Sequence, residues 1–393
     1  MSKSPADLRS PLVARRLDRV SSFLAMDVLS AAAAKERRGE SVVHMEVGQP
    51  SAPAPRAARE AARAALDLGR IGYTEALGMS ALRERIARHY RDAYGVAVAP
   101  ERVVVTTGSS AGFVLAFLAL FDPGQRVAIT APGYPAYRNI LEALGVEPVT
   151  IPLAKAEGWI MTAGAVERAH ADKPLHGILA MSPANPSGAM IGREALAALS
   201  ETCRRLGLWF VSDEIYHGLT YGEAATTALA SDEDAVVINS FSKYYCMTGW
   251  RIGWIVVPER LVRPMERLAQ NLYISPPYLS QVAALAAFDA AEELEAVKAG
   301  YARNRAYLLE ELPGIGISEM HPVDGAFYIY ADIARFTNDS IGFSRRMLEE
   351  AGVAATPGLD FDPLEGSHYL RLSFAGSEQD CREAVARLKG WLK

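Results

Sequence analysis

The chain has 393 residues, 50% of them hydrophobic and 22% charged, a composition that excludes a disordered or fibrous protein. Its 41 Lys and Arg against 46 Asp and Glu leave a net charge of −5, which argues against a nucleic-acid partner and against a polybasic membrane hook. At roughly 150 residues per domain, the length suits two or three domains, or one large domain with a satellite.

The stretch Met1–Arg19 is polar and Arg-rich, with no apolar signal core. Residues 19 to 38 read as a helix, helped by the good helix formers Ala31–Ala34. From Arg102 to Val257 short β-branched runs alternate with helical stretches. The runs are Val103–Thr107, Arg126–Thr130, His176–Ser182, Leu208–Asp213, Ala235–Ser240 and Arg251–Val257, with helix-like Ala111–Leu120 and Gly192–Leu206 between some of them. The longest strongly apolar run, Ala111–Phe121, falls well short of the roughly 20 residues a spanning helix needs. Continuous apolar strands separated by helices predict an α/β fold, a mostly parallel central sheet with helices on both faces.

The last third changes character. Pro277 to about Leu312 reads as one long helix, followed by strand-like Ala326–Ala331, helical Ile341–Gly352, strand-like Tyr369–Phe374 and a final helix Ser377–Leu392. This pattern predicts a smaller α+β domain, joined by the N-terminal helix. The expected division is a large domain over 43–284 and a small one from 1–42 and 285–393. Cys203, Cys246 and Cys381 are too few and too scattered for a disulfide framework or a zinc site, so no metal is expected. A cytoplasmic enzyme is the resulting expectation.

Ligands of such sheets bind at the carboxyl ends of the strands, so the residues just past each run are the candidates. Gly108-Ser109-Ser110-Ala111-Gly112 fits the G-x-S-x-G nucleophile elbow of serine hydrolases, with Ser110 as nucleophile and Asp213 and His321 or His368 as partners. No His-Gly-Gly oxyanion segment lies upstream. Ser240-Phe241-Ser242-Lys243 fits S-x-x-K of β-lactamases, but the companion S-D-N and K-T-G motifs are missing. Walker A, G-x-G-x-x-G and H-E-x-x-H are also missing, and the sequon Asn338-Asp339-Ser340 has no meaning without secretion.

A different constellation accounts for more residues. Lys243 lies just past one buried strand and Asp213 ends another. A lysine partly desolvated there becomes a nucleophile toward carbonyls. An aspartate beside it suits the pyridinium nitrogen of pyridoxal phosphate (PLP). Gly108-Ser109-Ser110 lies between a strand and a helix, where free N–H groups and the helix dipole suit a phosphate. Arg251 adds a charge-assisted bond.

The segment Ser-Phe-Ser-Lys-x-x-x-Met-Thr-Gly-Trp-Arg-Ile-Gly over residues 240–253 resembles the PLP-lysine signature of class I/II aminotransferases, the aspartate aminotransferase superfamily of PLP fold type I. Further motifs follow in the family's order: Gly48-Gln49-Pro50, Tyr73, the Gly108 turn, Pro132-Gly133-Tyr134-Pro135, Asn185-Pro186-Ser187-Gly188, Asp213-Glu214-Ile215-Tyr216, Lys243, Arg251 and Arg371. The resemblance covers about residues 20 to 390 and implies these roles. Lys243 forms the Schiff base and shuttles the proton between Cα and C4′. Asp213 pairs with the ring nitrogen. Tyr216 and Asn185 bond the ring O3′, and Tyr134 stacks on the ring. Gly108, Ser109, Ser110, Ser240 and Arg251 hold the phosphate, which Tyr73 of the neighbouring subunit also reaches. Arg371 clamps the substrate carboxylate, with Gly48 and Asn185 assisting. A homodimer with shared sites and cis bonds at Ala131-Pro132 and Asn185-Pro186 are further implications.

Two departures stand out. Cys246 replaces a residue such as Ala and reads as packing. Ser109-Ser110 lacks the basic residue that some dicarboxylate-preferring relatives carry by the phosphate turn, which counts against aspartate as the preferred donor. Phe23, Met26, Tyr134 and Ser110 are candidates for the side-chain pocket, and an apolar lining would favour neutral or aromatic donors. The expected reaction is ping-pong transfer of an amino group from an L-amino acid to a 2-oxo acid. A PLP-dependent C–S lyase or another carbanion enzyme is the alternative, and a Ser110 hydrolase the remote one.

Overall fold

Seven strands pair into the central sheet of the protein, seen in a computed structural model that describes residues 13–392. In chain order they are β1 (Val103–Thr106), β2 (Arg126–Ala131), β3 (Glu147–Pro152), β4 (Gly177–Met181), β5 (Trp209–Asp213), β6 (Val236–Ser240) and β7 (Gly253–Val256). Their spatial order is β1-β7-β6-β5-β4-β2-β3. Six strands run parallel, and β7 alone is antiparallel to both of its neighbours. Every residue of β1, β6 and β7 is buried. That explains why these segments read as unbroken apolar runs rather than alternating ones.

The antiparallel strand matters for the site. The residues that precede β7 emerge at the same edge as the residues that follow β1, β5 and β6. Gly253 pairs with both Thr106 and Ser240, so Arg251, Gly108 and Lys243 gather at one edge from three directions.

A second, three-stranded antiparallel sheet contains β8 (Tyr328–Asp332), β9 (Thr356–Pro357) and β10 (Tyr369–Ser373), in the order β9-β10-β8. Arg371 lies opposite Tyr330 on one side and Thr356 on the other. The pair Val43–His44 adds in parallel to Val353–Ala354. The helices Ala291–Glu311 and Glu378–Trp391 help form this sheet's core, through Tyr301, Leu308, Val385 and Leu388. At the junctions, Val43 and Met45 pack with this C-terminal core, whereas Phe288 and Leu294 pack with the central sheet.

Four expectations change. The single helix Pro277–Leu312 is two, Tyr278–Ala287 and Ala291–Glu311. Phe288 and Ala290 are both buried around exposed Asp289, and the chain tightens there through Asp289 N–H to Ala286 and Ala290 N–H to Ala287. The helix expected from residue 19 begins at Leu24, after a separate 3-10 turn Arg15–Arg19. The segment Ile341–Gly352 is α-helical only over Ser340–Arg346 and widens into a π turn at Met347–Ala351. The strand β3 escaped the sequence because it contains Pro148 and Pro152. It forms the sheet's edge, where a missing N–H is tolerated. Among the described residues no helix is long and apolar enough to cross a membrane.

Candidate active site

The carboxyl edge of the central sheet opens into a cavity of about 220 Å³ lined by Asp213, Lys243, Ser109, Ser110, Arg251 and, from other segments, Gly48, Tyr134, Asn185, Tyr216 and Arg371. These residues, expected from the sequence to act together, therefore converge. Asp213 ends β5 and is 1% exposed. The Ile215 N–H donates to its Oδ1 at 3.0 Å, and the Tyr137 hydroxyl donates to Oδ2. Burial still dominates and pushes its pKa up to about 6. Lys243 donates from Nζ to the Gly48 carbonyl at 2.6 Å. Burial, then the positive charges of Arg371 and Arg251, hold its pKa down at about 7, against the opposing pull of Asp213. Its amine is therefore substantially neutral near neutral pH and available as a nucleophile or base.

The phosphate-like cradle has a structural signature. The helix Ser109–Leu120 starts at Gly108, with no side chain capping its first turn. Its orphan N–H groups form a ready anion site. Gly108 has φ +82°, and a Cβ there would lie 2.5 Å from the Arg251 guanidinium. Arg251 itself adopts a left-handed φ of +49°, a conformation that costs a non-glycine residue roughly 1–2 kcal/mol. Ser240 does not line the cavity. Its hydroxyl bonds Ser242 Oγ at 2.9 Å and the Ile252 carbonyl at 3.1 Å, so it acts on the pocket through Ser242, which does line it.

Arg371 is 2% exposed. It donates to Asn185 Oδ1 at 3.0 Å, to the Glu46 carbonyl and to Thr356 Oγ1 at 3.3 Å, while Nε has no partner among the described residues. Its guanidinium carbon lies 4.3 Å from the Tyr328 ring centroid and 4.6 Å from that of Phe361. A buried fork with an unpaired donor is built to receive an anion. The Tyr216 hydroxyl meets that of Tyr328 at 2.7 Å. Tyr134 packs edge-on to Phe23 and Tyr137. The bonds Ala131-Pro132 and Asn185-Pro186 are both cis, as is Ser182-Pro183. Tyr73 lies outside the cavity and is 82% exposed.

The pattern described as "Aminotransferase class I and II" matches residues 40–388. The chain belongs to this family of PLP-dependent aminotransferases. It is 49% identical over 377 residues to a valine–pyruvate aminotransferase of Mycobacterium tuberculosis, covering 95% of this chain and 97% of that protein. An aminotransferase structure from Mycobacterium tuberculosis superposes with a TM-score of 0.94 at 48% identity, covering 98% of this chain and 99% of that one. The aspartate aminotransferase of Thermus thermophilus with maleate superposes with a TM-score of 0.92 at 30% identity, covering 97% and 100%. The fold is thus PLP fold type I, and the protein is an aminotransferase.

In this aminotransferase the G-x-S-x-G hydrolase reading has no support. Among the described residues no histidine lines the cavity that holds Ser110. Asp213 is engaged by Tyr137, His321 stacks on Trp159 with a 3.6 Å centroid separation, and His368 lies on the surface turn beside Glu365. Cys246 is buried, as packing requires.

Several residues at the site escaped the sequence. Tyr137 needed only the helical step from Tyr134 in Tyr134-Pro-Ala-Tyr137 to be noticed. Tyr328 shares the strand period of Tyr330, which faces Arg371, but the signal needs the β8–β10 register. Asp360 accepts the backbone N–H groups of Leu24 and Ala25 at 2.9 and 3.1 Å. Nothing local in the sequence announces that contact.

Proposed function

We propose that the chain transfers the amino group of a neutral, apolar L-amino acid to a 2-oxo acid, with PLP held in the cavity at the sheet edge. The observation that carries the donor class is a count of charges. Among the described residues lining the cavity, the charged ones are Asp213, Lys243, Arg251 and Arg371. Two suit the ring nitrogen and the carbonyl, one the phosphate and one the α-carboxylate. Within one protomer none remains for a charged donor side chain, which these walls would bury without a partner. The remaining wall includes Phe23, Ala25, Met26, Val47 and Phe113, and the likeness to a valine–pyruvate enzyme points the same way.

The residues present fit the cofactor. The uncapped helix start, the crowded Gly108 and Arg251 would receive the phosphate, Asp213 the pyridine nitrogen and Lys243 the aldehyde carbon. Bound PLP supplies a carbonyl for the amino group and a ring that withdraws electrons from the donor's Cα–H bond. Tyr137 orients the Asp213 carboxylate. The Lys243 amine would accept the proton from the donor's Cα and give it back to complete the transfer. Its lowered pKa suits both halves of that transfer. Arg371 holds the α-carboxylate with its planar fork while Asn185 fixes the fork's orientation. Tyr216 and Asn185, which line the cavity, would donate toward the ring oxygen, and Tyr134 would border the ring.

We infer further that the site is completed in a two-fold dimer, with Tyr73 reaching the partner's phosphate. Tyr73 ends a segment that also exposes Leu66, Leu68 and Ile71 by 49% or more, an apolar surface of the kind that interfaces cover. The test is spectroscopic. PLP-loaded protein is given single amino acids without any oxo acid. Valine or alanine should convert the bound cofactor to its amine form, and aspartate and arginine should not. Conversion by aspartate at equal concentration would overturn the donor class, and pyruvate with ammonia accumulating instead would identify a lyase.

A further inference from the structure

Tyr328 belongs to the C-terminal sheet, yet three parts of the site meet on it. Its hydroxyl lies 2.7 Å from the Tyr216 hydroxyl, its sole hydrogen-bond partner among the described residues. Its ring lies beneath the Arg371 guanidinium at 4.3 Å. Its oxygen fills the space that any side chain on Gly48 would need, and the Gly48 carbonyl accepts the bond from Lys243. The side chain is 1% exposed, so these contacts hold it in a single place.

We propose that Tyr328 is a positioning residue that fixes the Tyr216 hydroxyl and the Arg371 fork relative to one another, and strengthens the bond Tyr216 makes to the cofactor ring. The proposal rests on the cofactor reading above. The argument is one of donors and acceptors. A phenol has one proton and two lone pairs. When Tyr216 gives its proton to the ring oxygen, the contact with Tyr328 survives only with Tyr328 as donor. Accepting that bond polarises the Tyr216 O–H and makes it the better donor. The Arg371 cation above the Tyr328 ring adds a cation–π contact that holds the ring in line. Besides Arg371, the other charged or titratable groups facing Tyr216 are Lys243, 5.8 Å from its ring centroid, Tyr134 and Tyr137. Among the described residues none of these offers a hydrogen bond to its hydroxyl.

The two halves of the role separate by substitution. Tyr328→Phe keeps the ring under Arg371 and removes the hydroxyl. Tyr328→Leu removes both. The readout is the pH midpoint of the bound cofactor's absorbance, measured on PLP-loaded protein before any donor is added. A bond to the deprotonated form of the chromophore lowers that midpoint, so weakening the bond raises it. Tyr328→Phe should raise the midpoint by about half a unit or more, with the donor KM within about twofold of wild type. Tyr328→Leu should raise both the midpoint and the KM, the latter by about five- to tenfold. In a Tyr216→Phe background, Tyr328→Phe should add no further shift, because the two act as one unit. A merely structural role would lower the melting temperature and leave the midpoint in place. An unmoved midpoint in Tyr328→Phe, or the same shift with and without Tyr216, overturns the proposal. A wild-type protein that takes up no PLP and shows no such band overturns the cofactor reading itself, and this proposal with it.

Discussion

Asp213 and Lys243 stand at the ends of buried neighbouring strands, while the opposite wall of the cavity hangs on contacts between segments more than 300 residues apart. Glu46 reaches Arg371 across 325 residues, and Leu24 reaches Asp360 across 336. The floor is positioned by a hydrogen-bonded ladder that any parallel sheet provides. The wall combines a short antiparallel ladder, which carries Arg371, with a few long-range hydrogen bonds, each a point at which it can be loosened. The floor suits chemistry common to a whole family, and the wall suits the choice of substrate. Substitutions should therefore abolish turnover on the floor and redistribute KM values on the wall.

The largest effect belongs to Lys243. Lys243→Ala removes the nucleophile and the proton carrier together, and turnover should fall by about 10³-fold or more. Steady-state transamination measures this, and a fall of less than tenfold would remove Lys243 from the mechanism. In the cofactor-free protein its amine, with a pKa near 7, is neutral above that pH. Its reaction with an aldehyde probe should plateau just above pH 7 rather than climbing toward 10.

Arg371→Lys comes next and tests the wall where it meets the chemistry. A point charge replaces a fork already held by Asn185 and Glu46. The loss should be about 30- to 1,000-fold in kcat/KM, because the ammonium keeps the charge but not the planar, two-pronged geometry of the buried contact. Simple amines, which have no carboxylate to lose, should react with both proteins at similar rates. An equal loss for amines would make the change a general disturbance of the floor.

Asp213 shows what the floor costs in stability. Its folded pKa, about 6, lies above the ordinary carboxylate value. The folded state therefore binds the proton more readily than the unfolded one. The buried charge destabilises the cofactor-free protein above pH 6, and that penalty fades as the pH falls through 6 toward 4. Asp213→Asn should thus stabilise the cofactor-free protein at pH 7 to 8 by on the order of 2–3 kcal/mol. The same change should slow the loaded enzyme. Calorimetry between pH 4.5 and 8 checks the sign. A variant less stable than wild type at pH 8 would mean that the bonds from Tyr137 and Ile215 outweigh burial.

The same division explains what could be read in the sequence. Lys243, Asp213 and Ser109 follow apolar runs, and a run with its terminal residue is local information. Arg251 precedes its strand, and only the antiparallel direction of β7 explains why it belongs with them. The motif order around Lys243 supplied that residue before the topology did. Tyr328, Asp360 and the Glu46 carbonyl are different. Their roles depend on register and long-range contact, which leave no local period or spacing behind. The strand β3 was missed for a related reason, because its two prolines are tolerated only by its edge position.

The smallest expected effect is the most specific to the wall. Asp360 substitutes for a missing N-cap, since Phe23 offers the helix Leu24–Arg37 no side-chain acceptor. Its carboxylate takes the N–H groups of Leu24 and Ala25, and the same first turn brings Phe23, Ala25 and Met26 to the cavity. Ser21 and Asn139 exchange two further bonds just upstream, at 3.1 and 3.3 Å, so the segment is tied at two points. Asp360→Ala unties one of them, at a cost of about 0.5–2 kcal/mol. The remaining tie should keep the helix in place but let its first turn drift. A donor that uses the apolar wall should feel this, and a donor too short to reach it should not. The KM for valine or leucine should rise about three- to tenfold, the worth of about one methylene's burial or slightly more, while the KM for alanine changes less than about twofold. The pH midpoint of the cofactor absorbance should stay where it is, because among the described residues the Asp360 carboxylate hydrogen-bonds only Leu24 and Ala25 and no floor residue. Equal rises for alanine and leucine would show that the cap supports the whole site rather than the side-chain wall, and the contrast between floor and wall would fail at that point.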